Sequence, residues 1–183
     1  MLYFNNFRHI RKCLSRSSTE TLIHAFTTSR LDYCNSLLYG LPKYQLSKLQ
    51  RVVNASARLV YCAPKMCHIT LLLRELHWLP VFYRIEYKII LVTFKVLHGM
   101  APDYLRHLIS VLPPSRYNLR RNDDSAVLLT FLTIRTKKTL GDRSFTSAAP
   151  RLWNLLPTTI RSISSIDIFK IMPKTFLFNR AFN

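Results

Sequence analysis

The sequence predicts a mainly α fold: a helical bundle over roughly residues 6–110, followed by a looser C-terminal part with one or two short strands. Three observations predict it. Apolar residues recur at helical spacing through successive segments. Glycine followed by proline closes two of those segments, at Gly40/Pro42 and Gly99/Pro102. The composition then changes at residue 113. With 183 residues and 49% apolar side chains the chain can bury a real core.

Residues 6–15 read as a short basic helix. Ser17 and Glu20 then have the spacing of a capping box, which predicts that a new helix starts there. From Thr19 onward Leu22, Ile23, Phe26, Leu31, Tyr33 and Leu37 fit a mostly helical apolar face, with the β-branched pair Thr27–Thr28 as its weak point. Residues 44–61 form a cleaner amphipathic helix. Leu46, Leu49, Val53, Ala57 and Val60 share one stripe, and Lys48, Arg51 and Arg58 lie off it. Residues 70–78 predict a short helix ending before Pro80. Residues 81–98 predict a longer one that buries Phe82, Ile85, Ile89, Val92 and Val96.

Between 113 and 143 lie Pro113-Pro114, paired arginines, Asn122-Asp123-Asp124 and the β-leaning run LLTFLTI. This reads as a basic linker with one or two short strands, and it divides the chain into 1–112, 113–143 and 144–183. Beyond Gly141, helices are expected around 145–155 and 166–182, the second interrupted by Pro173.

Charge narrows the function classes. Lys and Arg number 27 against 9 Asp and Glu, a formal charge of +18. Such an excess favours phosphate-rich partners, because Arg grips phosphate bidentately and each neutralised phosphate releases counterions. An acidic protein or an anionic membrane would satisfy the charge as well. The three glycines are isolated, so neither a GxGxxG turn nor a P-loop can be written. The N-terminus does not read as a signal peptide, and no apolar run approaches the ~20 residues of a membrane span. A nuclear or cytoplasmic location with reduced thiols at Cys13, Cys34, Cys62 and Cys67 is therefore expected.

Several strings combine rare residue types in a fixed order: SRLDYCNSLLYGLP at 29–42, LQRVVNASARLV at 49–60, and LRELHWLPVFYRIEYKIILVTFKVLHGMAPDYL at 73–105. They are followed by LRR at 119–121, GDRSFTSAAPRLWNLLP at 141–157, and FK and KTFLF within 169–178. In this order and spacing they resemble the segment that follows the palm in reverse transcriptases of LINE-type, non-LTR retrotransposons, either jockey-like or chicken-repeat-like. The resemblance covers almost the whole chain, residues 1–15 being the least distinctive. It implies a thumb-like helical region (1–112) and a C-terminal helical extension (144–183) that grip RNA or primer-template. The absent palm would be their intramolecular partner. It also implies a non-catalytic fragment of an RNA-directed DNA polymerase.

The residues agree with the non-catalytic expectation. Reverse transcription needs carboxylates from separated palm strands to hold two Mg²⁺ ions, so Mg²⁺ is expected only for the full-length family enzyme. The single Asp-Asp pair, Asp123-Asp124, has no aromatic-Ala lead and reads as a solvated loop. Cys62, Cys67 and His68 fall short of a four-ligand zinc set unless Cys34 or His77 completes it, and they read as free thiols beside a loop histidine. His77-Trp78 and Trp153 read as core tryptophans with capping or hydrogen-bonded neighbours. No catalytic, cofactor or metal residue is therefore assigned.

The cations carry the binding expectation. Arg30, Lys48, Arg51, Arg58, Arg74, Arg84, Lys88 and Lys95 lie on expected helices, where they can follow a phosphate track. Arg116, Arg120, Arg121, Arg135, Lys137, Lys138, Arg143 and Arg151 form a second set interleaved with Tyr117 and Phe131, a pattern suited to single strands. Solvated faces, with alkyl stems covering the core, are the plainer alternative for both sets. For the chain as a whole, the alternative function is a structural or protein-interaction remnant whose apolar faces docked on the palm.

Overall fold

The computed structural model describes residue 7, residues 9–111, residues 129–130 and residues 141–182. The chain is mainly helical, as its periodicity predicts. It divides into two compact units, Met1–Arg84 with Ala181–Asn183, and Ile85–Arg180. Of the residues between 113 and 143, only 129–130 and 141–143 are described, so the expected linker boundary falls outside.

In the first unit, α1 (Arg16–Ile23) runs into a π-helical turn, His24–Thr28, and then α2 (Ser29–Asp32). The wide turn coincides with the β-branched Thr27–Thr28 pair, where χ1 crowding makes regular α-helix least favourable. α1 starts earlier than its capping-box pattern suggests. Ser15, not Ser17, is the N-cap, and its side chain accepts the Ser18 N–H at 3.1 Å. Ser15 has Ser18 and not a Glu or Gln at the third helical position, so the cap is a single side-chain bond and not a reciprocal box, and Thr19 and Ile23, one turn apart, are both buried. The apolar face expected here is only partly internal. Ile23 is buried, whereas Phe26, Tyr33 and Leu37 are exposed, because the π turn shifts the helical phase and the helix stops at Asp32.

Helix α3 (Lys43–Tyr61) buries Leu46, Val53, Ala57 and Val60, as its stripe predicts, together with Ser56 and Leu59. Its C-terminal carbonyls are taken by a residue far away in sequence. Arg11 donates from Nε to Leu59 O at 3.0 Å and from Nη2 to Val60 O at 2.8 Å. A guanidinium there satisfies orphan acceptors and complements the negative end of the helix dipole. Cys62 closes the helix in the left-handed region (φ 52°), and Ala63 N–H returns to Arg58 O at 2.9 Å.

The shorter α4 (Ile69–Glu75) ends in the same way. His77 is left-handed (φ 52°) and Trp78 N–H bonds to Leu73 O at 2.9 Å. The helix therefore stops three residues before the expected Trp78, leaving Trp78 buried beside His24 with ring centroids 5.3 Å apart. Arg16 ties three helices together: it lies 4.1 Å above the Tyr61 ring and 3.6 Å from the Glu75 carboxylate.

Helix α5 (Val81–Leu97) matches its expected length and crosses from the first unit into the second. It buries a broader face than one stripe: Ile85, Glu86, Ile89, Ile90, Thr93, Phe94 and Val96, with Phe82 exposed and Val92 half-buried. In the second unit α6 (Asp103–Arg106) follows Pro102, and two-residue strands β1 (Ser110–Val111) and β2 (Leu129–Thr130) pair antiparallel. The rest of the LLTFLTI run lies outside the described residues.

Then come α7 (Phe145–Asn154), α8 (Thr158–Arg161) and α9 (Ile166–Phe182). Pro173 does not interrupt α9. Its ring is buried between Phe169 and Leu177 on one helical stripe, and that packing outweighs the roughly 3 kcal/mol penalty of an internal proline. The core here stacks Phe94 on Phe169 at 3.9 Å and Trp153 on Phe169 at 5.8 Å between centroids.

One local device recurs in both units. In Leu79-Pro80-Val-Phe-Tyr-Arg84 the arginine Nε donates back to Leu79 O at 2.8 Å. In Leu156-Pro157-Thr-Thr-Ile-Arg161 the matching Nε donates to Leu156 O at 3.1 Å. Proline starts the helix without a lost N–H, and the arginine one turn later clamps the carbonyl before it.

Candidate nucleic-acid interface

Polar side chains of the rare-residue strings bond to one another. Asp32 of LDYCN accepts from Arg84 of LPVFYR, Nη1 to Oδ2 at 3.0 Å and to Oδ1 at 3.3 Å. Asn35 of the first string is buried and donates weakly to Asp32 Oδ1 at 3.5 Å, while its own Oδ1 has no partner among the described residues. Gln50 of LQRVVNA accepts the Val81 N–H at 2.8 Å, capping α5, and donates to Asn54 Oδ1 at 2.8 Å. Three strings thus meet in one polar lattice that sets helix ends and loop entry. Composition could not reveal this, because the partners are 31 and 52 residues apart.

This lattice changes the standing of two expected site cations. Arg84 is held by Asp32 and Leu79 with its side chain only 13% exposed, so it is a strut and not a solvent-facing cation. Arg58 is half-buried and turns toward the loop that follows α3, donating to Cys67 O at 3.5 Å, and its Nε is buried without a partner. Arg84, engaged by Asp32 and Leu79, and Arg58, turned toward Cys67 O with its Nε buried, are both poorly placed to meet a phosphate.

Lys48 and Arg51 behave as expected. They are exposed on α3 and make no ion pair among the described residues. Arg30 and Arg74 are exposed on α2 and α4. In the second unit Arg151 is exposed, whereas Lys88, Lys95 and Arg143 are half-buried. Arg116, Arg120, Arg121, Arg135, Lys137 and Lys138 lie outside the described residues, as does Asp123-Asp124. The geometry therefore gathers Lys48 and Arg51 on one face of one helix, and it does not assemble the full list into a single track.

The electrostatic setting of α3 is unusual. No Asp or Glu occurs between Asp32 and Glu75, while Lys43, Lys48, Arg51, Arg58, Lys65 and Arg74 do. The stretch itself therefore carries only positive formal charge, with Glu75 lying beside Tyr61 at the far end of α3. Among the described residues no three His, Cys, Asp or Glu converge as a metal site would require, and no helix is long and apolar enough to cross a membrane.

The second unit contains a different titratable feature. Glu86 on α5 is 6% exposed and its Oε2 has no hydrogen-bond partner among the described residues. Burial holds its carboxyl above the usual glutamate range, and the Arg180 charge draws it only partly back. A raised folded-state pKa means that the folded chain holds this proton more tightly than the unfolded chain. Stability contributed by the proton is therefore gained as pH falls from the folded pKa towards the ordinary value near 4.5, and is lost above it. Glu86→Gln, which cannot ionise, is expected to raise stability more at pH 8 than at pH 5 and so to flatten that part of the pH profile. Urea midpoints at pH 5 and pH 8 check this, and equal shifts at both would refute it.

Compared with known proteins, the chain matches no family model, no curated protein and no solved structure.

Proposed function

We propose that this chain is the thumb-like and C-terminal region that follows the palm in a LINE-type reverse transcriptase. It is non-catalytic by itself and binds RNA or primer-template, in the nucleus or cytoplasm, through its basic helices. One observation carries the binding reading: α3 presents Lys48 and Arg51 to solvent with no ion pair among the described residues, within a stretch of chain that has no acidic residue. A protein that needed these cations for its own structure would pair them, as it pairs Arg84.

Binding built on phosphate neutralisation falls steeply with salt. Fluorescence anisotropy with labelled RNA and primer-template between 50 and 200 mM salt tests this. Lys48→Ala with Arg51→Ala should weaken every probe and lower the log–log salt slope by about 2, about 1 per cation. No binding at low salt, or a slope near zero, would overturn the proposal.

A docking reading has its own support. Helix α9 exposes Ile168, Ile171 and Met172 on the side opposite Phe169, Pro173 and Leu177, an apolar surface of the kind that a missing domain would cover.

A further inference from the structure

The inference rests on the nucleic-acid reading above and specifies the form of the ligand. Tyr44, Lys48 and Arg51 occupy positions i, i+4 and i+7 of α3, so they lie along one stripe about 10 Å long at 1.5 Å per residue. All three are exposed, Tyr44 at 64%. Its hydroxyl accepts from Gln45 Nε2 at 3.1 Å, a contact at the rim of the ring. No described ring or cation is stacked on its faces.

Tyr61, at the other end of the same helix, is the contrast. Its ring is covered by the Arg16 guanidinium at 4.1 Å. An aromatic face left in water beside two unpaired cations, and unused by the core, fits a ligand that brings both a flat apolar face and negative charge.

We propose that α3 binds single-stranded nucleic acid, one unpaired base stacking on Tyr44 while Lys48 and Arg51 neutralise adjacent phosphates. A duplex has the denser phosphate charge and would win if the cations acted alone. It keeps its base faces inside the stack, so a protein-side ring can engage only a base that is unpaired. Stacking tolerates any base, so the site takes DNA or RNA strands without sequence preference.

The test measures anisotropy of the full chain with fluorescein-labelled 12-mers: oligo(dT), oligo(U) and a mixed-sequence duplex of the same length, at 50 mM salt. The single strands are expected to bind at least as tightly as the duplex. Tyr44→Ala should weaken single strands about 10-fold or more while leaving the duplex within about 2-fold, and Tyr44→Phe and Tyr44→Trp should retain tight binding. Lys48→Ala should weaken all probes alike. A duplex preference in the wild type, unchanged single-strand affinity in Tyr44→Ala, or an equal loss on both forms would overturn single-strand recognition and leave nucleic-acid binding standing. Failure of all three probes to bind would overturn both. Circular dichroism separates loss of contact from loss of fold in each variant.

Discussion

Phe169→Ala is expected to destabilise the unit of residues 85–180 by about 3–5 kcal/mol. The ring is fully buried and stacks on Phe94 at 3.9 Å, with Trp153 also 5.8 Å away. Its removal subtracts both the transfer free energy of a large side chain and the stacking of two ring pairs. It also leaves a cavity that Phe94 and Trp153, on two other helices, cannot close without losing their own contacts. Phe169→Leu keeps much of the volume and should cost less than half as much. Urea unfolding followed by tryptophan emission in a Trp78→Phe background would isolate the Trp153 signal of this unit. A loss under 1 kcal/mol for the alanine variant would show that the stack carries little of its stability.

The second large effect is expected at the Asp32–Arg84 pair. Asp32→Ala removes the partner of a guanidinium whose side chain is 13% exposed, leaving its charge poorly compensated. Breaking a fully buried pair typically costs 3–5 kcal/mol, but the Asp32 side chain is 40% exposed and water screens it, so about 2 kcal/mol is expected here. Asp32→Asn should cost nearly as much if charge, and not shape, is what matters. Arg84→Lys should cost a similar amount, since an ammonium cannot reach both carboxylate oxygens and Leu79 O in the fork geometry of a guanidinium. The double variant Asp32→Ala/Arg84→Met should recover part of the loss. Equilibrium unfolding of these variants, with the single Arg84→Met completing the cycle, measures this. Additive losses in the double variant would show that the pair is not coupled.

The two predictions concern residues of very different legibility. That Phe169 lies on a helix could be read from its neighbours, yet Pro173 argued for a break one turn later. Only the buried stripe Phe169–Pro173–Leu177 shows why the helix continues. Asp32 and Arg84 both sit in strings distinctive enough to attract attention, but nothing local pairs them. The same holds for Arg11, which caps a helix 48 residues away, and for Gln50, which caps α5 from the middle of α3. Glu86 carried no signal at all: a lone carboxylate on a helix reads as solvated until its neighbours are known.

The candidate interface divides in the same way. Lys48 and Arg51 were legible because the apolar stripe of α3 assigns the opposite face to water. Arg58 was misplaced because that stripe says nothing of the loop that returns over the helix end. Tyr44 opens α3 off the apolar stripe, and only its 64% exposure sets it beside Lys48 and Arg51 as a solvent-facing ring.

By itself, then, the amino-acid order determined the helical class, most helix positions, the large positive charge and the acid-free stretch from residue 33 to 74. These depend on composition or on spacings of three to four residues, which backbone geometry converts directly into faces. Only the tertiary structure decided which cations are struts and which face solvent, which serine caps α1, and that three distinctive strings close on one polar lattice. Those outcomes depend on which faces pack together, and packing joins residues tens of positions apart whose pairing no local period encodes.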